Sequence, residues 1–286
     1  MTLRIGTRGS SLARAQTAIV VDRLGLGAEI HVVRTAGDTS DRPIPELGDG
    51  AFVTAIEDAL RRGEIDLAVH SLKDLPTEDR PGLVIAAVLE REDARDVLIT
   101  RVRGGIATLP HGAVVGTSSP RRDAFLRALR PDVVTRPIRG NVDTRMGKVR
   151  SGEYDATILA LAGLKRLGIG VDAAEILDPR DCPPAPGQGA LAVQCRADDA
   201  ATIQLVAPLD HADTRRAVEA ERVLLRLLGA SCEIPLGTWG RVEAGEVVLD
   251  AALPTPDGIA RAHARARDPH DAARRCADAL GRPVRV

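Results

Sequence analysis

Aromatic side chains are nearly missing from this chain: two Phe, one Tyr and one Trp in 286 residues. A core must therefore be filled by Leu, Val, Ile and Ala, which the 44% hydrophobic content permits. A basic excess is also missing. Net charge is −1 and the isoelectric point about 6.6, which excludes a general nucleic-acid binder and confines any anion site to a local cluster. Lysine occurs only at Lys73, Lys148 and Lys165, so almost every cation is Arg, and each remaining Lys is a better functional candidate for it. No stretch reaches membrane-spanning length, and "MTLRIGTRGSS" enters a strand pattern at once with no apolar signal core. The expectation is a cytoplasmic protein with no membrane partner. The four cysteines, Cys182, Cys195, Cys232 and Cys276, show no CxxC spacing and no nearby His pairs. A zinc site is therefore not expected, no other metal is implied, and disulfides are disfavoured in that compartment. No Walker loop, HExxH or GxSxG motif is present.

What is present is alternation. "LRIGTR", "EIHVVRT", "IDLAVHSL", "LVIAAVL", "DVLITR", "AVVGTS", "DVVTRPI" and "DATILAL" read as strands, and amphipathic runs such as "SSLARAQTAIVVDRLG" and "FVTAIEDALRRG" read as helices between them. That order predicts α/β architecture with mixed, mostly parallel sheets. "RIGTRGSSLARAQ" is echoed by "VVGTSSPRRDAFL", each a strand, a Gly-Thr, a Ser-rich turn and a helix, which suggests two similar lobes. "DCPPAPGQGALAVQCR" reads as a crossing between them, with Gly187 and Gly189 free to adopt unusual backbone angles. From His211 a helix, a hairpin and a helix from Asp268 suggest a small α+β C-terminal domain. Residues Gly37 to Gly50 have little core potential and read as a mobile loop.

Polar residues recur at the predicted strand ends: Arg8 and Ser10, Lys73 and Asp74, Thr117, Ser118, Ser119, Arg121 and Arg122, then Arg139, Asn141, Arg145 and Arg166. Helix N-termini offer free N–H groups to anions, and Arg grips carboxylate or phosphate with a planar fork. Taken singly, each has a plainer reading. "SSP" is a helix N-cap followed by Pro at N1, and Asp74 beside Pro76 can cap a turn. Their recurrence at one edge of two sheets points to a crevice for a ligand with several acidic groups. Asp74 would be a carboxylate among cations, able to stabilise positive charge on that ligand. Arg121 and Arg122, as neighbours on a helix, can point to different sides, so each can grip a different acid group. Cys232 in "GASCEIPLG" reads either as a small buried residue or as a thiolate attachment point.

Together, "GTRGSSLARAQ", "AVHSLKDLPT", "VGTSSPRR", "IRGNVDTRMGKVRSGEYDATILALAGLKRLG", "PAPGQGALAVQCR" and "GASCEIPLG" closely resemble the porphobilinogen deaminase (hydroxymethylbilane synthase) family, in order and over most of the chain. The resemblance implies two periplasmic-binding-protein-like lobes, with domain 1 at residues 1–91 and 188–209 and domain 2 at 92–187. A domain 3 at 210–286 carries the cofactor cysteine. It implies an enzyme of haem and porphyrin biosynthesis that joins four porphobilinogen units into a linear tetrapyrrole, releasing ammonia each time. Growth starts from a dipyrromethane cofactor held by a thioether on Cys232. By the same resemblance, Lys73, Asp74, Thr117, Ser119, Arg121, Arg122, Asn141 and Arg145 bind that cofactor. Arg8, Ser10, Arg139, Arg145 and Arg166 bind substrate or the growing chain, Phe52 stacks near a ring, and Asp74 is the catalytic carboxylate. The family also implies a monomer, with a transient hand-off to the next enzyme of the pathway. One departure stands out: Asp49 and Thr54 occupy loop positions where the family commonly has lysines.

Rivals for a two-lobed anion binder are a solute receptor and the ligand domain of a regulator. The first lacks an export signal, the second lacks a helix-turn-helix, and neither explains the cysteine motif.

Overall fold

The computed structural model describes residues 2–35, 50, 53–78, 80–101, 104–170, 174–229 and 234–281. The chain opens on β1 (Leu3–Thr7), which pairs in parallel with β2 (Ala28–Val32) and β3 (Leu67–Ser71). Helices α1 (Ser11–Leu24) and α2 (Thr54–Arg61) connect them, and β4 (Leu83–Val88) follows. Helix α1 begins where the Ser10 hydroxyl accepts the Ala13 N–H at 3.2 Å and ends at Gly25 in the left-handed region. The second sheet begins with β5 (Asp96–Thr100) and β6 (Val114–Gly116). Helix α3 (Pro120–Leu129), β7 (Val134–Arg136), α4 (Val142–Arg150), β8 (Ala156–Ala160), α5 (Leu161–Arg166) and β9 (Ala174–Ile176) complete it.

The chain then returns as β10 (Leu191–Arg196), inserted between β3 and β4 and antiparallel to both. The strand orders are β2-β1-β3-β10-β4 and β7-β6-β8-β5-β9. In each sheet four strands run one way and a single strand opposes them, β10 in the first and β5 in the second. The opposing strand is in each case the one that follows a crossing, so the two lobes share one topology. This is the mixed, mostly parallel α/β architecture expected of two similar lobes.

Helix α6 (Ala200–Val206) leads to α7 (Ala212–Leu227). Three antiparallel strands, β11 (Gly237–Glu243), β12 (Glu246–Thr255) and β13 (Gly258–Ala266), and α8 (Pro269–Leu280) complete the small α+β unit. Sequence patterning had suggested a hairpin here; β11 adds a third strand before it. Aliphatic side chains fill all three cores, as the aromatic shortage requires, with Phe125 the one ring fully buried in the second lobe. The unit is fastened to the lobes by Glu221 of α7, which is fully buried. Its carboxylate accepts from Arg91 at 2.8 and 3.1 Å and from the N–H groups of Gly187 (2.7 Å) and Gly240 (2.6 Å). At the second crossing Gly187 and Gly189 have φ of +74° and +89°, and a Cβ on Gly189 would lie 2.4 Å from the Glu92 carbonyl oxygen. The backbone there needs Gly for both angle and clearance.

Candidate active site

Strand β3 ends at Ser71, and a short 3-10 turn, Leu72–Asp74, follows. Leu72 is buried, Lys73 is half-buried and Asp74 is exposed. The turn thus anchors one apolar side chain and delivers an ammonium and a carboxylate to the carboxyl edge of the first sheet. In the second lobe the equivalent edge of β6 runs into Thr117, whose hydroxyl accepts the Ser119 N–H at 3.2 Å. Ser119 caps α3 with Pro120 next to it, and its hydroxyl accepts the Arg122 N–H at 3.4 Å. The capping explanation of "SSP" therefore holds, and it also aims Arg121 and Arg122 from the first turn of α3.

The two guanidiniums do not diverge, although their being neighbours would allow it. Both meet the carboxylate of Asp96, at the start of β5. Arg121 donates to Asp96 Oδ2 at 2.7 Å, and Arg122 donates to Oδ1 at 2.8 Å and Oδ2 at 3.2 Å. Long side chains can converge when one buried acid lies between them, and Asp96 is fully buried while the arginines are 5% and 8% exposed. Arg121 also donates to the Pro183 carbonyl and Arg122 to the Ile158 carbonyl at 3.0 Å. Burial alone would raise the Asp96 pKa, but the two guanidiniums outweigh it and hold the carboxyl well below the usual carboxylate range. Gln188, from the second crossing, joins this cluster to the turn: it donates to Asp96 at 2.9 Å and accepts from Lys73 Nζ at 3.1 Å.

The cluster carries more positive than negative charge. Lys73 is pushed down to about 8 by burial and by the like charge of Arg122. Arg145, on α4, is lowered by burial and by its neighbours Arg122 and Arg139; its Nε donates to the Gly140 carbonyl at 2.8 Å. Among the described residues the buried Arg121 Nε has no hydrogen-bond partner. A surplus of desolvated cations with an orphaned donor fits a group bearing several carboxylates. An expected outcome follows for Lys73. In protein freed of acidic ligand, its acylation by an amine reagent should rise through a midpoint near pH 8, and a bound polycarboxylate should move that midpoint upward. With three lysines in the chain the modified peptide is unambiguous. A midpoint at 10 or above would contradict the desolvation argument.

The other residues singled out in the sequence are placed as follows. Arg8 follows β1 and is half-buried, and Ser10 caps α1. Arg139 is half-buried, and Asn141 is the exposed N-cap residue of α4 with no side-chain capping bond. Arg166, on α5, donates to the Gly189 carbonyl at 2.6 Å and is pushed down to about 10 by burial, with Glu92 opposing. Thr54 is exposed on α2. Cys232, Phe52 and Asp49, and the loop residues up to 49, lie outside the described residues. Cys182 and Cys195 are buried, as a structural role requires, and burial pushes both thiols up to about 11. Among the described residues no cluster of His, Cys, Asp and Glu suits a metal, and no helix is long and apolar enough to cross a membrane.

Sequence reasoning missed Asp96 and Gln188. The signal for Asp96 was an acid opening the apolar strand "DVLIT", and for Gln188 a polar side chain between two glycines of the crossing.

An exposed carboxylate next to a cation-rich cluster shared by two α/β lobes suits a multiply acidic small molecule. Comparison with known proteins identifies the family. Residues 3–204 match the family model described as "Porphobilinogen deaminase, dipyromethane cofactor binding domain", and residues 215–282 match that of the C-terminal domain of the same enzyme. The chain belongs to the porphobilinogen deaminase family. It is 51% identical over 265 residues to the porphobilinogen deaminase of Acidothermus cellulolyticus, covering 90% of this chain and 80% of that one. It is 52% identical to that of Mycobacterium leprae, over 84% of this chain and 77% of the other. A crystal structure of a putative methionine-binding lipoprotein from Bacillus subtilis is 13% identical, covers 73% of this chain and 89% of that one, and has a TM-score of 0.44. That likeness adds nothing to the topology described above.

Proposed function

We propose that this chain performs its family's reaction, assembling four porphobilinogen molecules into the linear tetrapyrrole hydroxymethylbilane with loss of ammonia, and that the residues above divide the work. The observation that carries the reading is the surplus of desolvated guanidinium and ammonium groups around Asp96, beside the exposed Asp74. Lys73, Thr117, Ser119, Arg121, Arg122, Asn141 and Arg145 would hold the carboxylates of a dipyrromethane tethered to Cys232. When bound, that group supplies a nucleophilic pyrrole carbon and a covalent tether. Arg8, Ser10, Arg139, Arg145 and Arg166 would hold incoming substrate and the lengthening product, with Phe52 beside a ring. Arg121 and Arg122 are internally paired, so they act on a ligand through the net positive field of the cluster.

Asp74 would stabilise the cation left when substrate loses ammonia, and would accept the proton released on bond formation. Charge stabilisation of this kind is often the largest catalytic contribution, and proton transfer adds roughly 10²–10⁴-fold. For the compartment we propose the cytoplasm, to which three buried unpaired thiols are suited. For assembly we propose a monomer that hands its product on transiently. The test of the whole reading is intact-mass measurement of the purified protein. It should show a covalent dipyrromethane adduct that disappears in Cys232→Ser, together with activity; an active enzyme without the adduct refutes it.

A further inference from the structure

We propose that Arg222 is a positioning residue, which clamps the Lys73–Asp74 turn to helix α7 and so sets where the Asp74 carboxylate stands. The proposal rests on the catalytic reading of Asp74 given above. Arg222 lies in the third unit, yet its guanidinium reaches across to the turn and straddles it. Nη1 donates to the Leu75 carbonyl at 2.9 Å and more weakly to the Leu72 carbonyl at 3.5 Å, and Nη2 donates to the Pro76 carbonyl at 2.6 Å. The clamped carbonyls stand immediately before and immediately after Lys73 and Asp74. Four residues along the same helix, Arg226 donates to the Thr77 carbonyl at 3.3 Å.

Three observations separate this contact from ordinary interface filling. First, among the described residues no carboxylate lies within ion-pair distance of Arg222; its donors go to the backbone oxygens of the turn, and burial and the like charge of Arg226, with Glu78 opposing, push the guanidinium down to about 10. Second, the turn borders a cavity of about 430 Å³ lined in part by Leu72, Leu75, Val88, Val218 and Arg222; Leu72 and Leu75 are buried against Val88 and Val218, and the Arg222 fork adds polar bonds to the backbone beside that apolar contact. Third, the crossing also packs closely on the turn: a Cβ on Gly187 would lie 3.2 Å from the Lys73 nitrogen. The crossing and α7 therefore both hold the turn. Helix α7 ends at Leu227, five residues before Cys232. The helix that precedes the proposed tether in sequence thus grips the proposed catalytic turn from its side.

The test uses the full-length loaded enzyme with Arg222→Met, Arg222→Lys, Asp74→Asn and the double variant Asp74→Asn/Arg222→Met. Because small displacements of a reacting group can cost about 10²-fold, Arg222→Met is expected to lower kcat about 10–100-fold with KM nearly unchanged and the cofactor mass retained. Arg222→Lys, which keeps charge but loses the fork, should recover part of the loss. Independently of activity, hydrogen exchange of the peptide spanning residues 72–77 should accelerate at least about tenfold in Arg222→Met while β1 stays protected. The double variant should be no slower than Asp74→Asn. Wild-type kcat together with wild-type exchange in Arg222→Met overturns the clamp, as does a double variant slowed by the full product of the two single effects. Accelerated exchange at 72–77 with a normally active Asp74→Asn instead overturns the catalytic assignment of Asp74 and leaves the clamp standing.

Discussion

Asp74→Asn is expected to leave the protein folded and to cut turnover by about 10²–10⁴-fold. Folding should survive because Asp74 is exposed, and among the described residues its carboxylate makes no hydrogen bond that holds the turn. The turn is fixed by others: the Leu75 N–H donates to the Leu72 carbonyl at 3.1 Å, and the Leu72 N–H donates to the Ala190 carbonyl at 3.0 Å. Surface replacements away from structural contacts usually change stability by no more than about 0.5 kcal/mol. Activity should fall because Asn has the same shape but neither the negative charge nor the basicity. Measuring tetrapyrrole formed per enzyme, alongside a melting curve, separates the two effects. A variant that melts normally and turns over at close to the normal rate would remove Asp74 from the mechanism.

Asp96→Asn should act on stability instead. Two buried guanidiniums, a glutamine amide and a nearby thiol converge on that carboxylate. Taking one partner from a buried ion cluster leaves uncompensated charge, at a cost of about 3–5 kcal/mol. That is a large share of the roughly 5–15 kcal/mol that holds a typical domain together. Denaturant unfolding at neutral pH checks it, and a loss below about 1 kcal/mol would show that the cluster is solvated rather than sealed. The pH dependence has a definite sign. The folded pKa of Asp96 is depressed, so its contribution is fully present above the unfolded value of about 4 and is lost as pH falls toward the folded value. The gap between wild type and variant should therefore be constant near neutrality and narrow only in strong acid.

These two acids divide what could be read in advance from what could not. Asp74 was visible because its setting is local: a Lys, an Asp and a Pro following an apolar strand identify a turn. The helix starts at Ser10 and Ser119 were visible for the same reason, since N-cap preference depends on a few adjacent residues. The family motifs extended that legibility to function. Asp96 was hidden, because its meaning depends on Arg121, twenty-five residues later, and on Gln188, ninety-two residues later. Likewise β10, read only as part of a crossing, is a strand because β3 and β4 leave a slot for it.

Local order, the alternating pattern, the caps and the shortage of aromatics determined which segments would become strands and helices and which side chains would face a crevice. Whether two adjacent arginines diverge or converge, and which helix steadies the reactive turn, was decided only by tertiary packing. The cause is that buried charges must find partners wherever the folded chain brings them, whatever their separation along it.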